Sequence, residues 1–198
     1  MVHLPNQLTF LRIILTPIFL LLLFSDSIES RLLALFVFII ASTTDAYDGY
    51  LARKYNVVSS WGKFLDPLAD KILVLSAFAG FWFLDYFPFW MLLLIVLRDI
   101  FVTGLRMWMS ARGTTMDTSR FAKSKTAVQM IGIYTMIVFA IVKDWAVFGF
   151  LDPAIQWMHR MAFFWWLMFL VALLTVITGV HYLAKNQAHL RESLGSST

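Results

Sequence analysis

The chain has 198 residues, 60% of them hydrophobic and 14% charged, with a formal net charge of +4 and no cysteine. Soluble domains run about 45–50% apolar and about 25% charged, so this composition excludes an ordinary soluble globule, and its hydrophobicity excludes a disordered chain. Disulfides, thiolate metal sites and cysteine nucleophiles are excluded too, and 19 Phe and 8 Trp in so apolar a chain point to lipid contact, not to nucleic acid.

Six apolar segments follow in chain order, at 7–24, 32–53, 61–84, 87–109, 122–142 and 161–184. They predict an all-α integral membrane protein, six transmembrane helices around a cytoplasm-facing polar cavity, in a single domain over 1–198. The first segment is interrupted near its start by Arg12, and no small-x-small cleavage site follows Phe24, so it reads as a span and not as a removed signal. The stretch 144–160 is expected as an outer loop, and the tail after Ala184 is polar. Trp82, Trp90, Trp145 and Trp157 near the outer boundary, and Trp61 and Trp108 near the inner one, suit interfacial anchoring.

Several of these segments are short for a bilayer. The uncharged runs Ile13–Phe24, Leu32–Thr44, Ile72–Leu84 and Tyr86–Leu97 hold 12 or 13 residues each. At ~1.5 Å per residue each covers about 18–20 Å of a hydrocarbon core about 30 Å thick. Each becomes long enough by taking in charge at one end: Arg12, Asp45 and Asp48, Asp66 and Asp70, or Arg98. With six spans, Arg31, Lys143 and Arg160 fall on one side, and every other Lys and Arg falls on the opposite side. The positive-inside rule then puts both termini in the cytoplasm, as suits a bacterial inner membrane. All the charged helix ends become cytoplasmic ends, at similar depth, where isolated charges are expensive. A shared water-filled cavity accommodates them.

The stretch Asp45-Ala-Tyr-Asp48-Gly49-Tyr-Leu-Ala52-Arg53 is followed, after eight residues, by Gly62-Lys-Phe-Leu-Asp66-Pro-Leu-Ala-Asp70. Offsets of 3, 4 and 7 put Asp45, Asp48, Gly49 and Ala52 on one helical face. Offsets of 4 and 8 do the same for Gly62, Asp66 and Asp70 on the next helix. Four converging carboxylates raise one another's pKa unless compensated. An oxygen-rich set without Cys or His suits hard cations such as Mg²⁺ or Mn²⁺. Two such ions can clamp a phosphate during displacement, and the small residues leave room for a nucleotide. A solvated helix-end network with Arg53, Lys63 and Lys71 is the bland alternative.

The pattern Asp-x2-Asp-Gly-x2-Ala-Arg-x8-Gly-x3-Asp-x3-Asp resembles the signature of the CDP-alcohol phosphatidyltransferase family at every fixed position. The resemblance implies transfer of a phosphatidyl group from CDP-diacylglycerol to an alcohol, with release of CMP. It implies two Mg²⁺ or Mn²⁺ ions on Asp45, Asp48 and Asp66, with Asp70 as general base and further ligand. It also implies Gly49, Ala52, Arg53, Gly62 and Asp66 around the nucleotide, and a homodimer. Asn6, Thr9 and Arg12 lie at the cavity mouth by depth, suited either to nucleotide contact or to anchoring a helix end.

The acceptor is read from cations. Arg98 and Arg106 are eight apart and lie near one helical face; Arg120-Phe-Ala-Lys123-Ser-Lys125-Thr126 follows. Such a set binds an anion through charge-assisted hydrogen bonds, which a phosphate-bearing acceptor needs and free serine does not. Exposed members could equally be topology determinants that meet anionic lipid. Within the family, Leu4-Pro5-Asn6, Leu8-Thr9, Arg98-Asp99-Ile100, Leu105-Arg106 and Lys123-Ser-Lys125-Thr126 with Gln129 resemble the bacterial phosphatidylglycerophosphate synthases. Asp99 stands where that group usually has Glu, and Ala122 where it usually has Gly. The acceptor so implied is sn-glycerol 3-phosphate, held by Arg98, Arg106, Lys123 and Lys125. Other acceptors for the same chemistry are phosphatidylglycerol, serine and inositol phosphate. From a different class, intramembrane carboxylates could carry cations or protons through a transporter, although every buried charge lies on one side of the midplane.

Overall fold

The computed structural model describes the backbone of residues 4–55, 60–111, 120–143 and 150–187, and within these the side chains of 10–44, 71–110, 125–143, 150–158 and 161–187. The helices among them are α1 (Leu4–Leu23), α2 (Ile28–Tyr55), α3 (Ser60–Phe83), α4 (Phe89–Ala111), α5 (Arg120–Val142), α6 (Asp152–Arg160) and α7 (Phe163–Lys185), with no strand among the described residues. Six long helices thus cover the six apolar segments. The short α6 is a difference from the loop expected there. Its nine residues, Asp-Pro-Ala-Ile-Gln-Trp-Met-His-Arg, are amphipathic and not apolar, so a search for long hydrophobic runs passes over them. Pro153 suits the first turn, where its missing N–H costs nothing.

By length and composition, Lys125–Val142 and Phe163–Lys185 can cross a membrane, and Phe10–Leu23 and Lys71–Phe83 are shorter apolar stretches. Each long helix carries a large apolar side chain that is more than half exposed: Leu21 on α1, Phe36 on α2, Phe83 on α3, Phe101 on α4, Ile131 on α5 and Val180 on α7. So much apolar surface is stable where the surroundings are themselves apolar.

The chain divides into two compact units. One holds α1, α2, α3, the C-terminal half of α5 and α6; the other holds α4, the N-terminal half of α5 and α7.

In the first unit α1 packs on both α2 and α3. The approach of α1 to α3 depends on Gly80, where a Cβ would sit 2.9 Å from Leu20 Cδ2 and 3.1 Å from Leu23 Cδ2. Small residues are what allow helices to approach closely in lipid. Phe19, Phe38 and Tyr134 form a chain of rings 5.2 Å apart at each step, and the Tyr134 hydroxyl meets Ser42 Oγ at 2.8 Å. Ser27 caps α2: its Oγ accepts the Ser30 N–H at 3.1 Å, as expected of an N-cap serine. Arg31, in the first turn of α2, reaches across to the end of α5, where its Nη1 donates to the Ala140 carbonyl at 3.0 Å. That carbonyl is one of the last four of α5, which lack a partner within the helix.

α3 closes on itself. The Tyr86 N–H bonds the Phe81 carbonyl at 3.1 Å and the Asp85 N–H bonds that of Trp82 at 2.9 Å. Asp85 takes a left-handed φ of 59°, which Asp tolerates better than most residues. The Tyr86 ring lies 5.2 Å from that of Phe81, completing a Schellman motif with its apolar contact.

In the second unit Trp165 stacks on Phe169 at 5.3 Å, and Trp90 of α4 meets both rings edge-on.

Candidate active site

The four carboxylates stand on two helices of the first unit. Asp45 and Asp48, with Gly49, Ala52 and Arg53, are in the C-terminal half of α2; Gly62, Asp66 and Asp70 are in the N-terminal half of α3. Asn6 and Thr9 are in the first turns of α1. The side chains of all these residues, and of Lys123 in the first turn of α5, lie outside the described residues. What the described residues show is the approach to them. Arg12 of α1 is 1% exposed, and its Nε donates to the carbonyl of Ala41 on α2 at 3.4 Å. Ala41 is one helical turn ahead of Asp45, so a guanidinium is buried against α2 about 6 Å along the axis from the first carboxylate position.

No group of three or more His, Asp or Glu side chains able to hold a metal gathers among the described residues. The donor chemistry of α2 and α3 is nonetheless that of a hard divalent cation. Four Asp with no Cys in the chain match an oxygen-seeking ion, and the two helices that carry them touch one another.

The second unit holds the cations. Asp99 on α4 is completely buried. Its Oδ1 accepts from Arg98 Nη1 at 3.0 Å and also from Lys125 Nζ of α5. The Lys125 side chain is 3% exposed and that of Arg98 14%. Two cations therefore share one buried carboxylate, and the trio carries a single net positive charge. Burying one isolated charge costs several kcal/mol, and the pairing offsets that cost only where geometry and hydrogen bonds are good. Here the geometry is supported from α7, where the Thr178 hydroxyl oxygen accepts from Arg98 Nη2 at 3.2 Å.

The expected anion-binding set is thus brought together in part. Arg98 and Lys125 meet through Asp99. Arg106 is two turns further along α4, at about 12 Å, with its guanidinium carbon 5.6 Å from the centre of the Tyr182 ring on α7. The sequence reading passed over the residues that meet the Arg98 side chain: Asp99, noted only as a departure from Glu, and Thr178 with Gly179. The signal available for Asp99 was a carboxylate beside an arginine within an apolar helix. One turn beyond Lys125, Gln129 is 1% exposed, and neither its Oε1 nor its Nε2 has a hydrogen-bond partner among the described residues.

Residues 2–152 match the family of CDP-alcohol phosphatidyltransferases. The chain belongs to that family. It is therefore a transferase, and a membrane protein of the bacterial kind. Two relatives are similar over nearly their whole length. A protein of Bacillus subtilis named CDP-diacylglycerol–glycerol-3-phosphate 3-phosphatidyltransferase is 36% identical, over 98% of this chain and 100% of its own. A protein of Rickettsia typhi with the same name is 35% identical, over 92% of this chain and 96% of its own.

Proposed function

We propose that this protein transfers the phosphatidyl group of CDP-diacylglycerol to sn-glycerol 3-phosphate, giving phosphatidylglycerol phosphate and CMP. The observation that carries the choice of acceptor is the buried Arg98–Asp99–Lys125 cluster. Two buried cations held against one carboxylate leave a net positive charge, which favours an acceptor with a phosphate over neutral or zwitterionic alcohols. Full-length likeness to two proteins named for that acceptor supports the same choice.

In this reading Asp45, Asp48, Asp66 and Asp70 hold Mg²⁺ or Mn²⁺, two ions, which when bound supply charge stabilisation on the pyrophosphate and the departing CMP. Gly49, Ala52, Arg53 and Gly62, with Asn6 and Thr9, line the nucleotide. Arg98, Arg106, Lys123 and Lys125 hold the acceptor's phosphate. Asp70 takes the proton from the acceptor's primary hydroxyl, a transfer that requires a carboxylate within hydrogen-bond reach. The hydroxyl oxygen forms a bond to the phosphorus nearest the diacylglycerol, and the bond from that phosphorus to the CMP oxygen breaks. The proton stays on Asp70 until solvent removes it. The six long helices span the membrane, both termini face the cytoplasm of a bacterial inner membrane, and the cavity opens on that side as one domain. The working form is a homodimer.

The test is phosphatidyl transfer by purified protein in detergent, with CDP-diacylglycerol, labelled glycerol 3-phosphate, and Mg²⁺, Mn²⁺ or EDTA. Lipid labelling matched by CMP release, abolished by EDTA, is the expected result. CMP release with serine, inositol phosphate or phosphatidylglycerol and none with glycerol 3-phosphate would overturn the acceptor.

A further inference from the structure

We propose that Thr178 and Gly179 of α7 are positioning residues that seat the Arg98 side chain and aim its guanidinium at the acceptor's phosphate. This rests on the reading of Arg98 as a ligand of that phosphate.

Three observations converge on the seat. The Thr178 hydroxyl lies 2.8 Å from the Leu174 carbonyl and 2.9 Å from that of Thr175. Its single proton is committed to the helix backbone, so its oxygen faces Arg98 as an acceptor, with no donor to compete. Second, the Arg98 stem crosses α7 at Gly179. A Cβ there would stand 3.0 Å from Arg98 Cγ and 3.1 Å from its Nε. The side chain at 179 must therefore be hydrogen, or the arginine must move. Third, the groove that Arg98 crosses is otherwise apolar, lined by Leu97, Phe101, Val176, Val180 and Leu183 among others. Asp99 and Thr178 are the polar groups that the described residues bring to the guanidinium, one on each Nη.

An arginine has many rotamers, and its planar fork binds a phosphate well when it is already oriented. Asp99 fixes one corner of the fork and Thr178 another, while Gly179 lets the stem lie flat enough for both bonds to form. A methyl group at 179 pushes the stem off the helix by some tenths of an ångström and stretches both.

The experiment compares steady-state kinetics of the full chain in detergent for Gly179→Ala, Thr178→Val, Thr178→Ser and Arg98→Lys. KM is measured separately for glycerol 3-phosphate and for CDP-diacylglycerol. Gly179→Ala and Thr178→Val are expected to raise KM for glycerol 3-phosphate about tenfold, the scale of one charged hydrogen bond, while KM for CDP-diacylglycerol stays the same. Thr178→Ser, which keeps the hydroxyl, restores the unaltered value. Arg98→Lys raising KM for the acceptor, with Gly179→Ala and Thr178→Val leaving it within about twofold, would overturn the seat and leave the phosphate reading standing. Arg98→Lys leaving that KM unchanged would overturn the phosphate reading itself. If Gly179→Ala does not fold, Thr178→Val, nearly the same in shape as the residue it replaces, decides between the same outcomes.

Discussion

Lys125 and Asp99 lie 26 residues apart in the chain and form an ion pair with both side chains buried. Arg98 bonds the same carboxylate oxygen. Removing the charge leaves two buried cations facing each other, so Asp99→Asn is expected to cost about 3–5 kcal/mol, the usual penalty for breaking one partner from a buried pair. Asp99→Glu keeps the charge and is expected to lose far less. Thermal unfolding in a fixed detergent separates the two variants, and equal melting temperatures would show that the pair contributes little.

Asp70→Asn tests the proposed base. A positioned proton acceptor contributes about 10²–10⁴-fold, so CMP release should fall at least that far. Membrane insertion and yield should be unchanged, because an amide occupies nearly the same volume. Residual turnover above about a tenth would remove Asp70 from the base role.

Gly80 lies against Leu20 and Leu23 of α1. Gly80→Val must displace both leucines and is expected to destabilise the first unit by about 1–3 kcal/mol. Gly80→Ala should cost less, because the nearest atoms are the ends of flexible side chains. A valine variant as stable as the parent would show that α1 can move away from α3 freely.

The Gln129 amide is buried with neither polar atom hydrogen-bonded among the described residues. Its replacement by Met keeps the length and removes the unmet polar atoms, so Gln129→Met is expected to gain about 1 kcal/mol of stability. A loss of stability would mean that the amide is satisfied in the membrane, by water for instance.

The helices were legible in the sequence because apolar length is a strong signal. Each of the six segments has a helix over it, with ends that differ by a few residues. α6 was not, because a nine-residue amphipathic helix has no apolar run to detect. The aspartates of α2 and α3 were legible as a motif, since spacing alone puts them on helix faces. The anchoring of the cations was not. The Arg98-Asp99 neighbours are visible in the sequence, but their third member comes from α5 and their support from α7, and no local spacing encodes a contact across 80 residues such as Arg98 to Thr178. Thr178 and Gly179 also sit within a helix so apolar that its hydropathy masks them.

The Schellman closure of α3 has a practical consequence. Peptide carbonyls at a helix end ordinarily take hydrogen bonds from whatever lies around them, water or headgroup. At Phe81 and Trp82 they are answered from within the chain, by Tyr86 and Asp85, and at Ala140 by Arg31. These carbonyls therefore need no hydrogen bond from the medium. Extraction from lipid into a micelle is expected to leave these bonds in place, so that these turns survive solubilisation.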